Sequence, residues 1–154
     1  MTDSPEQRLE SLGLALPPAP SPAASYVAVR VEGSFAYVSG QGPMREGVAA
    51  YTGRLGDDLS VDEGKKSAEL TMLNVLAALK AELGDLGRIN GFVKLLVLVK
   101  ATPEFSEHYL VANGASDLIM SVFGPSGAHA RSAIGVTSLP FSISTEIEAI
   151  VRID

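Results

Sequence analysis

Ala130-Arg131-Ser132-Ala133-Ile134-Gly135-Val136-Thr137-Ser138-Leu139-Pro140 sets one guanidinium in an otherwise uncharged run. Small and β-branched residues followed by a proline make residues 130–137 read as a strand. A second strand is expected over 144–153, joined to the first through Leu139-Pro140-Phe141-Ser142, with Glu146 and Glu148 alternating onto one of its faces. An unpaired guanidinium is costly to bury, so Arg131 needs a partner. That partner is either internal, an ion pair with Glu146 or Glu148, or external, since the planar fork of arginine fits a carboxylate better than lysine does. The residues alone leave both readings open.

Working outward from this stretch, the rest of the chain supplies elements that can pack around it. Residues 26–31 and 35–39 alternate β-rich positions across Glu32-Gly33-Ser34 and read as a hairpin, which Gly40-Gln41-Gly42-Pro43 halts. A short strand is expected over 48–52. Residues 61–83 carry an apolar stripe, with Ser60 as N-cap, Glu63 completing a capping box and Gly84 closing the helix. Residues 89–99 are rich in Val and Leu and read as a buried strand. A second helix is expected over 106–123, although Asn113-Gly114 inside it costs about 1 kcal/mol against alanine and marks a place for a break.

The resulting order, ββ(β)αβαββ, implies an α+β fold: a mixed sheet of about six strands packed on two helices. The strands carry small and apolar residues on both faces, so one helical layer cannot cover them all and subunit association is expected. Residues 14–24 hold four prolines and should run extended. The expected organisation is therefore an arm over 1–24 followed by one domain over 25–154.

Composition narrows the function classes. A chain of 154 residues with 46% hydrophobic and 19% charged residues suits a single packed domain. A net charge of −6 disfavours a nucleic-acid partner. Cysteine is absent, which removes disulfides, thiolate nucleophiles and sulfur-ligated metals. Residues 1–10 are polar without a basic and apolar leader pattern, and no apolar run approaches a bilayer span, so a cytoplasmic protein without membrane contact is expected. There is no HExxH, no phosphate-binding GxxxxGK[ST], no EF-hand loop and no G-x-S-x-G elbow. The two histidines, His108 and His129, stand near expected element ends, where solvated or capping roles are the ordinary reading.

At this point the ordered pieces resemble a known family. The run from Arg131 to Pro140 followed by Thr145-Glu146-Ile147-Glu148-Ala149-Ile150 resembles the C-terminal signature of the reactive-intermediate deaminase (Rid) family. Its members are also called YjgF proteins, L-PSP endoribonucleases or translation-initiation inhibitors. Tyr26-Val27 and Val38-Ser39-Gly40-Gln41 resemble its N-terminal signatures in the same order, and Leu12-Gly13-Leu14-Ala15-Leu16-Pro17 with Asn113-Gly114-Ala115-Ser116-Asp117 resembles a longer branch.

The resemblance implies a chorismate-mutase-like protomer assembled as a homotrimer, with clefts between subunits. It implies that Arg131 binds the carboxylate of a 2-imino or enamine acid such as 2-aminoacrylate, and that Glu146 activates the water that releases ammonia and leaves a 2-keto acid. Tyr26, Ser39, Gly40 and Asn113 would line the cleft and contact substrate. No metal and no cofactor are called for, because an imine already reacts with water and needs only orientation, a proton and a base. Many archetypal deaminases carry a cysteine where this chain has Ala133, a departure that touches the choice of substrate. The alternatives are a non-enzymatic trimer that binds or senses 2-keto acids or related metabolites and, with less support, the ribonuclease or translation inhibitor of the family's older names. Against the last stand the absence of a basic stripe and of an aromatic stacking series.

Overall fold

The computed structural model describes residues 2–154. The first element is a helix, α1 (Pro5–Ser11), in the stretch expected to be an arm. Its cap explains it: Ser4 Oγ accepts from the Gln7 amide at 3.1 Å and Gln7 Oε1 accepts from the Ser4 amide at 2.8 Å, a reciprocal box around Pro5 at the first turn. Docking fixes it further. Leu9 is buried, Lys80 Nζ donates to Glu6 Oε1 at 2.6 Å, and Arg8 Nη1 donates to the Val122 carbonyl at 2.8 Å. Beyond Gly13 the proline-rich segment runs extended without strand pairing, as its prolines require.

The strands and remaining helices follow as β1 (Val29–Glu32), β2 (Phe35–Gln41), β3 (Met44–Arg45), β4 (Val48–Ala49), α2 (Val61–Leu83), β5 (Ile89–Lys100), α3 (His108–Phe123), β6 (Ala130–Val136) and β7 (Thr145–Ile153). One sheet has the order β1-β2-β7-β5-β6, antiparallel except where β6 runs parallel to β5. The fold class is α+β with a mixed sheet, but among the described residues the main sheet has five strands where about six were expected, and there are three α-helices where two were. The difference has a cause: β3 and β4 pair with each other across the Glu46-Gly47 turn and form a separate two-stranded hairpin.

The expected long helix is present as α2, capped by Ser60 and Glu63 (3.2 and 2.7 Å) and closed by left-handed Gly84. No break occurs in α3 at Gly114, because that glycine serves packing: a Cβ there would lie 2.0 Å from the Lys65 carbonyl oxygen of α2. The two helices therefore pack backbone to backbone and cover one sheet face with Leu95, Val97, Val99, Ile147, Ala149 and Val151 beneath them. The other face carries Phe35, Tyr37 and Ile134, all at least 37% exposed, with no helix over it. Among the described residues no helix is long and apolar enough to cross a membrane.

Candidate functional site

Arg131 sits on the edge strand β6, opposite Leu95 in the parallel ladder, and so shares the helix-covered face with that buried leucine. Its guanidinium lies along α3. Nη1 donates to Asn113 Oδ1 and to Ser116 Oγ, both at 2.9 Å, and Nη2 donates to the Tyr109 carbonyl at 3.1 Å. All of these acceptors are neutral. A guanidinium has five N–H donors, so Nε–H and one Nη2–H remain for something else. Among the described residues no carboxylate pairs with Arg131.

Of the two readings left open by the sequence, the internal ion pair with Glu146 or Glu148 is therefore not formed, and topology gives the reason. The strands joined by Leu139-Pro140-Phe141-Ser142 are not neighbours, because β5 lies between β6 and β7. Glu146 and Glu148 stand opposite Leu98 and Leu96 on the helix-free face, while their neighbours Thr145, Ile147 and Ala149 point into the core. Arg131 and Glu146 thus occupy opposite faces of the same sheet.

Glu146 belongs to a different environment. It borders an open cleft of about 810 Å³ that Tyr26 and Gly40 also line, with Pro18 and Pro20 of the N-terminal segment on one side and Phe141 on another. A bulge in β2 between Val38 and Gln41 brings the backbone of Gly40 beneath the carboxyl group. Glycine leaves room for this approach, since a Cβ on residue 40 would lie 2.8 Å from Glu146 Cδ and turn the carboxyl aside. From below, α2 holds the start of β7 through a buried hydroxyl cluster. Ser67 Oγ bonds Ser144 Oγ (2.6 Å) and Thr145 Oγ1 (2.7 Å), and Thr71 Oγ1 bonds Thr145 Oγ1 (2.9 Å). Partial burial, reinforced by the nearby Glu148 charge, pushes the Glu146 carboxyl above its ordinary pKa.

The six candidate residues therefore separate into two groups. Arg131 and Asn113 meet on the helix side, whereas Tyr26, Gly40 and Glu146 share the cleft on the other side. Ser39 stands beside the second group: its Oγ donates to the Val27 carbonyl at 2.7 Å, and it borders a shallow recess with Tyr26, Tyr37 and Glu148. Ser116 and the Tyr109 carbonyl were not anticipated. The spacing of 113 and 116 carried a signal, since residues three apart share a helix face. Ala133 lies two residues along β6 on Arg131's face, packed against the core without a reactive group. Among the described residues no cluster of His, Asp or Glu side chains suits a metal ion.

A sequence model of the family described as "YjgF/chorismate mutase-like, putative endoribonuclease" matches residues 6–146. The chain belongs to the YjgF family. This YjgF protein is 46% identical over 147 residues to Protein TCP17 of Trypanosoma cruzi, covering 95% of this chain and 92% of that protein. It is also similar to the crystal structure of Atu1372 from Agrobacterium tumefaciens, at 49% identity and TM-score 0.92, with 97% of this chain and 92% of the other covered. A "putative endoribonuclease" from Shewanella oneidensis MR-1 superposes at TM-score 0.95 and 32% identity, over 98% and 100% of the two chains.

Proposed function

We propose that the protein hydrolyses reactive enamine and imine acids of the 2-aminoacrylate type to 2-keto acids and ammonia, in clefts completed by a second copy of the chain. The observation that carries this reading is the state of Arg131: a cation held by three hydrogen bonds to neutral acceptors, with two N–H donors left over. Asn113 spends its carbonyl oxygen on the guanidinium, so its amide N–H groups add to a set made only of donors. Such a set selects an acceptor bearing negative charge, which a carboxylate supplies.

Assembly follows from the same geometry. Arg131 lies on a sheet edge and Glu146 on the opposite face, so the two can act on one small molecule only if they come from different copies. The uncovered sheet face and the family's trimeric habit favour a homotrimer. In such a cleft the carboxylate of the substrate sits on Arg131, and the imine carbon faces the Glu146 side. An enamine first shifts a proton from nitrogen to its methylene carbon and becomes the imine; water then adds to the C=N bond as Glu146 takes its proton and passes it to nitrogen. The resulting carbinolamine loses ammonia as its hydroxyl becomes the keto oxygen. A carboxyl group with a raised pKa suits both halves of that transfer. The reaction calls for neither metal nor cofactor.

Ala133 favours a second reading, a trimer that binds 2-keto acids without turning them over, because it puts an inert methyl two residues from the anion clamp. The ribonuclease implied by the family description is the weaker reading for a chain of net charge −6. Ammonia release from 2-aminoacrylate generated in situ tests the first reading, with Arg131→Ala as the control. The wild type should exceed the uncatalysed rate and the variant should match it. Equal rates for both would remove the deaminase reading, and pyruvate binding lost in Arg131→Ala but kept in Glu146→Gln would then support the binder.

A further inference from the structure

His129 precedes Arg131 by two residues, and the ordinary reading gives it no task beyond capping. In the structure its ring is bonded at both nitrogens. Nδ1 lies 2.6 Å from the Gly127 carbonyl oxygen, and Nε2 lies 2.9 Å from Ser116 Oγ. A carbonyl oxygen only accepts, so Nδ1 carries a proton. A second proton on Nε2 would aim another cationic donor at an oxygen that already accepts from Arg131 Nη1 at 2.9 Å. Nε2 therefore accepts, and the Ser116 hydroxyl donates to it. This leaves the Ser116 lone pairs turned toward the guanidinium. Every bond in the series sets the direction of the next, and it starts from a backbone carbonyl that cannot reverse.

Without His129 the hydroxyl has another outlet. A serine inside a helix readily donates to the carbonyl four residues back, here Ala112, and its oxygen then swings off the line to Nη1. Arginine carries a long stem with much rotamer freedom, so one lost anchor lets the guanidinium plane turn. We infer that His129 is a positioning residue: through Ser116 it fixes the plane of Arg131 so that Nε–H and the free Nη2–H face outward as a paired edge for a carboxylate. The inference rests on the anion-clamp reading for its ligand, but not for its geometry.

The test uses the full-length protein with pyruvate as the probe, measured by calorimetry, together with ¹⁵N–¹H spectra of the arginine side chains. His129→Leu and Ser116→Ala should each weaken pyruvate binding about tenfold, and the double variant should be no weaker than either one, because both break the same series. His129→Gln, which keeps an acceptor, should recover affinity to within about threefold of wild type. Slowly rotating Nη protons of Arg131 should be seen in the wild type and in His129→Gln, and be lost in His129→Leu. Wild-type affinity in His129→Leu, or losses that multiply in the double variant, would overturn the relay. If the wild type binds no pyruvate, the anion clamp itself fails and the spectra still decide. Loss of the slow Arg131 protons in His129→Leu upholds the relay, and their persistence ends it.

Discussion

The side of the sheet that carries Arg131 and the side that carries Glu146 are built on opposite plans. Arg131 is tied to the neighbouring helix α3 by three hydrogen bonds and is set before any ligand arrives. The Glu146 carboxyl accepts no hydrogen bond among the described residues and rests on a bare glycine backbone, fixed only through the strand that carries it. The difference separates two tasks. A group that recognises charge gains from being immobile, while a group that moves protons gains from a pKa raised toward the working pH and from freedom to serve both water and nitrogen.

The sharpest way to break this division is to separate the two sides between copies. Arg131→Ala and Glu146→Gln should each abolish ammonia release. Random reassembly of an equal mixture should restore roughly a quarter of wild-type activity, because one cleft in four then draws both intact groups from different copies. No recovery after confirmed subunit exchange would show that the two residues never share a cleft. Next in size is Gly40→Ala. The new methyl pushes the Glu146 carboxyl aside, and a displacement of about 1 Å is expected to lower kcat on the order of tenfold to a hundredfold. Pyruvate binding should change little in that variant, and a matching loss of affinity would show that Gly40 serves recognition as well.

A smaller effect is expected from Thr145→Val, which strands the Thr71 hydroxyl inside the protein and leaves Ser67 with Ser144 alone. The cost should be about 1–2 kcal/mol, read as a fall of several degrees in the melting temperature. An unchanged melting temperature would mean that the cluster contributes nothing to holding β7. The smallest effect is a pH dependence of stability. Burial, and then Glu148, raise the Glu146 pKa in the folded state, so between the unfolded and folded values the native protein binds more protons than the unfolded chain. The contribution from Glu146 is intact below the unfolded pKa and is lost as the pH rises through the folded one. Glu146→Gln should therefore gain stability relative to wild type only as the pH climbs past the ordinary carboxylate range. A stability difference that does not vary with pH would contradict the shift.

Much of this arrangement was legible in the sequence where one local rule decides the outcome. The capping box of Ser60 and Glu63 fixed the start of α2, and the uncharged surroundings of Arg131 marked it as the residue to explain. What stayed hidden depended on long-range placement. Nothing local reveals that β5 inserts between β6 and β7, so an ion pair between Arg131 and Glu146 or Glu148 stayed open as an alternative until topology removes it. The helix over Pro5–Ser11 was missed because a seven-residue amphipathic segment is marginal until Leu9, Glu6 and Arg8 dock. Gly114 looked like a place for a break because its contact with α2 lies almost fifty residues away.

The strand order also constrains how the protein comes into being. β7 follows every other strand in sequence yet joins the β1-β2 pair to the β5-β6 pair, so while it remains inside the ribosome the emerging chain holds two disconnected ribbons with bare edges. Completion of this sheet waits for β7, and chaperones that shield nascent edges should matter more for its yield than for proteins whose central strand is made first.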